Sequence, residues 1–165
     1  MVQSDVCGSS PGDWMLDSGS TTHVCRDRSL FTSEKKSLAS FRVWTGDVTR
    51  GVMSGSVLLH VRNGGGNDVL ELPLENVEYS PHGSTSLLIL GRMEKNGWRM
   101  STNSPEEKVR LIVLDKDNQR LVFLQQVAHY WLRTVDAEAV TEGMAMLTVN
   151  ADASPRLDGT NASDI

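Results

Sequence analysis

From Trp14 onward the chain is cut by turn-forming residues roughly every ten positions, and no other feature constrains its fold as tightly. FRVW (41–44) and GVMSGSVLLHV (51–61) flank TGDVTR, where Gly46-Asp47 supplies a turn, so this pair is expected as a β-hairpin. RNGGGND separates VLLHV from VLELPLENVEY. Three consecutive glycines lose too much backbone entropy to sit inside a regular element, which predicts a loop and a second hairpin. LLIL (87–90) is closed by Gly91 and followed by RMEKNGW, the pattern of one short helix ending at Asn96-Gly97. KVRLIVLDKDNQRLVFL reads as strand, Asp/Asn turn, strand, and QVAHYWLRTV (126–135) fits either a further strand or a short helix. Strands this short and this regularly interrupted predict an all-β fold, a small barrel, with one helix after Leu-Leu-Ile-Leu-Gly.

The length of 165 residues suits one domain with a sizeable core and a tail. Residues 1–12, rich in Ser and Gly, read as a flexible leader. Residues 13–100 read as the barrel, 101–135 as a C-terminal hairpin extension, and 136–165 as a linker and tail whose composition cannot repay ordering entropy. A net charge of −5, with no basic stripe, argues against direct nucleic-acid binding. Cys7 and Cys25 match no zinc spacing and make no disulfide framework, so both read as reduced thiols. No apolar run is long enough to span a bilayer, and the start lacks a signal-peptide pattern. The expectation is an intracellular, cytoplasmic protein with no membrane partner, no metal and no cofactor.

Chemistry concentrates in WMLDSGSTTHV (14–24). An acidic residue directly after an apolar run, followed by Ser-Gly, puts a carboxylate at the end of a buried strand where it enters a sharp turn. Such a carboxylate is costly unless hydrogen-bonded, and its titration is easily displaced, which is useful in catalysis.

The order of elements around Asp17-Ser18-Gly19 resembles that of retropepsins, and more specifically the protease of Copia-type retrotransposons. That family's first strand and turn read as Trp, two apolar residues, Asp-Ser-Gly, a small residue, two more and His, and WMLDSGSTTH supplies each from Trp14 to His23. Leu30-Phe31 follows at a familiar distance. VWTGDVTRGVMSGSVLL resembles the family's apolar-Gly-Asp hairpin and second strand, and LPLENVEYSPHGSTSLLILGRMEKNGW its Val-x-Tyr-x-Pro segment, Leu-Leu pair and helix. Ser20 stands where the family commonly has Ala, and Ser86 where it has Asn. The likeness spans about Asp13 to Trp98 and continues faintly to about Val135, where the family leads toward its integrase region.

The resemblance implies a closed, retropepsin-like barrel and an aspartic endopeptidase that processes a Gag-Pol-type polyprotein. Two carboxylates within hydrogen-bonding distance cannot both ionise cheaply, so such a pair holds one proton, one member activating water and the other polarising the scissile carbonyl. The sequence holds one Asp-Ser-Gly, so the second Asp17 is expected from a second copy of the chain in a homodimer. By the same resemblance Ser18 braces the turns across the dyad and Gly19 lets substrate backbone approach. Ser20, Gly46, Asp47, Leu88 and Gly91 are the implied substrate contacts, with Val43 to Val52 as a mobile flap tipped by Gly46. The intact element would carry this activity into a virus-like particle. A rival reading is a catalytically silent β-barrel interaction or spacer module from a degenerate transposon polyprotein.

Other residues have plainer readings. His23 lies beyond the turn and is expected to be satisfied by a backbone group; His60, His82 and His129 are scattered and suggest no metal site. Cys25 reads as a small core residue without an activating base. Trp14, Trp44, Trp98 and Trp131 read as core anchors, and Glu106-Glu107-Lys108 as a solvated turn.

Overall fold

A computed structural model describes residues 12–42 and 46–136. Along the chain run β1 (Trp14–Asp17), β2 (Val24–Cys25), β3 (Phe31–Lys36), β4 (Ser40–Arg42), β5 (Val48–Arg50), β6 (Met53–Arg62), β7 (Val69–Tyr79) and β8 (Ser86–Ile89). They are followed by the helix α1 (Leu90–Lys95), β9 (Arg99–Thr102), β10 (Leu111–Lys116), β11 (Gln119–Gln126) and β12 (His129–Leu132). The expected leader and tail fall, apart from Gly12 and Asp136, outside the described residues.

Ten strands form one sheet in the order β3-β6-β7-β2-β8-β1-β12-β11-β10-β9, and β4 and β5 form a two-stranded sheet of their own. Among the described residues the fold is all-β with one short α-helix, as the sequence predicts. Among the described residues the expected closed barrel is not found in the ladders, which leave β3 and β9 as edges. An isolated antiparallel bridge joins Val61 of β6 to Thr134 beyond β12, with the Val135 N–H donating to the His60 carbonyl at 2.8 Å. The sheet also runs through residue 100 without interruption, because β12 pairs with β1 as well as with β11.

Alternation along the strands explains the core. In β6 and β7, Val57, Leu59 and Val61 face Leu74, Leu72 and Leu70, all buried, while Leu58 and His60 face Pro73 and Glu71 on the other side. Trp14 and Leu88 are completely enclosed, and Leu132, Phe123, Leu121 and Leu114 join them from the far half of the sheet. Truncating such a leucine to alanine costs about 2–5 kcal/mol, so these positions set the stability of the domain. Helix α1 turns Met93 into this core and ends at Asn96-Gly97, where the Trp98 N–H returns to the Met93 carbonyl at 3.1 Å.

Two expectations shift by a few residues. The Gly46-Asp47 hairpin is built from β4 and β5, not from the long run 51–61; that run is β6, which pairs with β3 and β7 instead. Residues 43–45 of the turn lie outside the described residues. Residues 126–135 resolve as strand, β12, entered through a two-residue turn at Val127-Ala128.

Candidate active site

Strand β1 delivers Asp17, and the way its neighbours are ordered shapes the turn that follows. Strand β8 lies between β1 and β2, parallel to β1 with Asp17 opposite Ile89, and antiparallel to β2 with Leu87 opposite Val24. Residues 18–23 therefore arch over the end of β8 and span two strand spacings, roughly 9.6 Å. A tight two-residue turn could not do this. Small residues let the arch stay low, and Ser18, Gly19 and Ser20 are all exposed on it.

At the near foot of the arch Asp17 is half-buried, and its Oδ1 accepts the Gly19 N–H at 2.8 Å. The expected hydrogen bond to a carboxylate leaving a strand is thus made within the turn itself. At the far foot His23 is buried, and its Nδ1 accepts the Ile89 N–H at 2.9 Å. An imidazole that accepts at Nδ1 is neutral and carries its proton on Nε2. Burial, and secondarily the positive charge of Arg92, push its pKa down to about 4. The reading of His23 as a residue satisfied by a backbone group is borne out; its Nδ1 lone pair is committed to the fold.

Two further residues hold the arch. Arg92, on α1, donates from Nη1 to Thr22 Oγ1 at 3.3 Å and to the Asn76 carbonyl at 3.0 Å, and Thr22 Oγ1 donates to that same carbonyl at 3.1 Å. Below it, Cys25 is enclosed in the core, where burial raises its thiol pKa to about 11. That suits the core role expected of it.

The hairpin of β4 and β5 carries Gly46 and Asp47, both exposed. Its root is clasped by a buried acid. Ser37 Oγ donates to Glu78 Oε2 at 2.6 Å and accepts the Ala39 N–H at 3.1 Å, while Gly51 N–H donates to the Ala39 carbonyl at 2.9 Å. The Glu78 N–H in turn donates to the His23 carbonyl at 2.9 Å, so one residue ties the root of the hairpin to the far foot of the arch.

Sequence reading missed Ser37, Glu78, Thr22 and Arg92. A signal existed for Glu78. Alternation in LELPLENVEY breaks at Asn76, which adopts a left-handed conformation (φ 52°), and the phase slip puts Glu78 on the face opposite Val77.

The implied substrate contacts are not all placed alike. Leu88 is 0 % exposed and belongs to the core, whereas Ser20, Gly46 and Asp47 are exposed. Gly91 is exposed on α1, and a Cβ there would meet nothing within 4 Å, so close approach does not require glycine at that position. Three clefts of 660, 490 and 370 Å³ are lined by residues other than Asp17.

The family described as "Pol polyprotein, beta-barrel domain" matches residues 14–98, just over half of the chain, from the strand that carries Asp17 to the end of the helix segment. The chain belongs to that family. A protein ascribed to transposon Ty5-1 of Saccharomyces cerevisiae is 32% identical to this Pol domain over 81 residues, 49% of each chain. The chain spans about half the length of that curated relative. No solved structure matches it.

Proposed function

We propose that this Pol domain is the aspartic endopeptidase of a Copia-type retrotransposon, which cleaves a Gag-Pol-type polyprotein as a homodimer. The observation that carries the reading is the Asp17 turn: a half-buried carboxylate, at the end of a core strand, with one oxygen fixed by the Gly19 N–H and the arch around it pinned at its far foot. The family match and the transposon relative support the retrotransposon setting.

In the dimer two Asp17 carboxylates share one proton. The ionised member takes a proton from water as it attacks the scissile carbonyl, and the protonated member donates to the carbonyl oxygen. Ser18 braces the paired turns, and the hairpin of β4 and β5 closes over the bound peptide. Shared protonation gives a bell-shaped pH profile with its optimum on the acid side of neutral.

Cleavage of extended peptides by the purified chain tests this. Asp17→Asn, which keeps shape and hydrogen bonding, is expected to lower the rate by more than about a thousandfold while unfolding as the wild type does. Added in excess to the wild type, it should poison activity by forming heterodimers with a single aspartate. Full activity from a demonstrated monomer would sink the reading, because the sequence holds one Asp-Ser-Gly. Absence of cleavage under any condition would leave the silent interaction module.

A further inference from the structure

Residues in register on neighbouring strands share one face of a sheet. Met15 on β1 is in register with Trp131 on β12, Trp131 with Leu124 on β11, and Leu124 with Leu111 on β10. In the other direction Met15 is opposite Leu87 on β8, and Leu87 opposite Val24 on β2. Six adjacent strands thus each contribute one apolar side chain to a continuous row. The row lies on the face away from Trp14, Leu132 and Phe123, all six residues are half-buried, and none belongs to the core cluster. Trp131 is therefore not the core anchor that sequence reading made of it. Asp17, two residues beyond Met15, is on this same face.

The dimensions of the row select its occupant. Five strand spacings of about 4.8 Å make it roughly 24 Å long, the reach of about seven residues of extended chain. A row one side chain wide offers on the order of 200 Å², far below the roughly 800 Å² per partner of a stable protein interface. Charge adds a second constraint. Leu124 also lines the 490 Å³ cleft, together with Val122, Arg62 and Arg133, a cationic corner in a chain of net charge −5. An apolar side chain seated against Leu124 with a carboxylate beside it would satisfy both halves of that lining.

We propose that the row is the floor on which an extended segment of a polypeptide substrate lies, apolar side chains downward and an acidic residue toward Arg62 and Arg133, with Trp131 as the specificity-determining residue. The consequence for cleavage rests on the endopeptidase reading; the binding itself does not. Trp131 falls outside residues 14–98, so this part of the floor exists only because β12 pairs with β1.

The test uses the full chain carrying Asp17→Asn, which binds without turnover, with tryptophan indole and methionine methyl resonances followed by NMR. Seven-residue peptides with alternating Leu and Ser and a terminal Glu are expected to shift the Trp131 indole and Met15 methyl signals, while the enclosed Trp14 stays still. Replacing the peptide Glu with Gln should weaken binding at least threefold. In the active chain Trp131→Ala should raise KM at least fivefold for these peptides with kcat changed by less than twofold, and Trp131→Phe should restore most of the loss. Motionless Trp131 and Met15 signals at saturating peptide, or no binding at all, overturn the proposal. Trp131 signals that move with protein concentration alone, and not only the Met15 signals beside the dimer's Asp17 pair, would overturn it as well by putting a second copy on the row. Binding on the row without cleavage by the wild type sinks the endopeptidase reading and leaves the floor standing; cleavage without movement at Trp131 does the reverse.

Discussion

The arch of residues 18–23 and the hairpin of residues 40–50 are both short, and Ser18 to Ser20 of the one and Gly46-Asp47 of the other are exposed, yet they are held in opposite ways. The arch is pinned along its length: Asp17 to Gly19 at one foot, Thr22 to Arg92 near the other, and His23 to Ile89 beneath. Among the described residues the hairpin is a two-stranded sheet with no third strand, and it is fastened at its root by Ser37, Glu78 and Gly51. Isolated two-stranded ribbons are marginal in water. The Asp17 carboxylate stands at the near foot of the first region, and Gly46 and Asp47 are exposed in the second. Exposure alone does not tell the two apart; the buried partner of the adjacent side chain does.

The strongest way to break this contrast is to protonate the anchor of the arch. His23 is held neutral in the fold with a pKa of about 4, against 6.5 when unfolded. Between those values the unfolded chain binds more protons than the folded one, so stability falls as pH drops from 6.5 toward 4 and is level above 6.5 for this residue. The shift corresponds to about 3 kcal/mol by pH 4. Urea unfolding from pH 4 to pH 7.5 should show it. His23→Gln, whose side-chain oxygen can also accept the Ile89 N–H, should remove this component, so the difference between the two curves is the readout. Parallel curves would mean that His23 does not anchor the arch. The acid arm of any cleavage profile has to be compared with this loss of fold.

How much of this is legible in the sequence follows from what each signal depends on. The Gly46-Asp47 turn, the helix after Leu90 and the Asp17 turn are local patterns and are where the sequence puts them, although the second strand of the Gly46-Asp47 hairpin is β5 and not the run 51–61. Strand β3 is not legible, because Thr32 to Lys36 are all exposed on an edge strand and show no alternation to read. Strand β9 is hidden for the same reason. That Leu88 faces the core is not legible, because sequence gives its neighbours in the chain but not which face of β8 it takes. The clasp of Ser37 with Glu78 joins residues 41 positions apart, and the row through Trp131 depends on β12 returning to β1. Those are facts of register, and no short window contains them.

The second expected effect is at the root of the hairpin. Ser37→Ala removes the donor to the Glu78 carboxylate and the acceptor of the Ala39 N–H, both in a buried setting, and should cost about 1–3 kcal/mol. Gly51→Ala tests the same clasp by crowding: an added Cβ would collide with Ser37 Oγ and lie 2.7 Å from Glu78 Oε2. Both variants should speed amide exchange in β4 and β5 and leave exchange at Ile89, the partner of His23, within a factor of a few. If Ile89 loses protection as much as the hairpin does, Glu78 couples the two regions into one unit and the contrast fails.

The smallest effect is expected at the tip. Gly46 has φ 94°, a conformation that costs a side-chain-bearing residue about 1–2 kcal/mol, although the space around it is open. If the hairpin were as firmly held as the arch, Gly46→Ala would lower global stability by that full amount. A hairpin that opens about its root can relieve the strain, so the loss is capped by the free energy that keeps it shut. We expect Gly46→Ala to lower unfolding stability by less than about 0.5 kcal/mol while raising KM for peptide cleavage severalfold, because a cover that spends more time open binds substrate less well. A loss near 2 kcal/mol with KM unchanged would show a rigid tip and would remove the hairpin from the role of a moving cover.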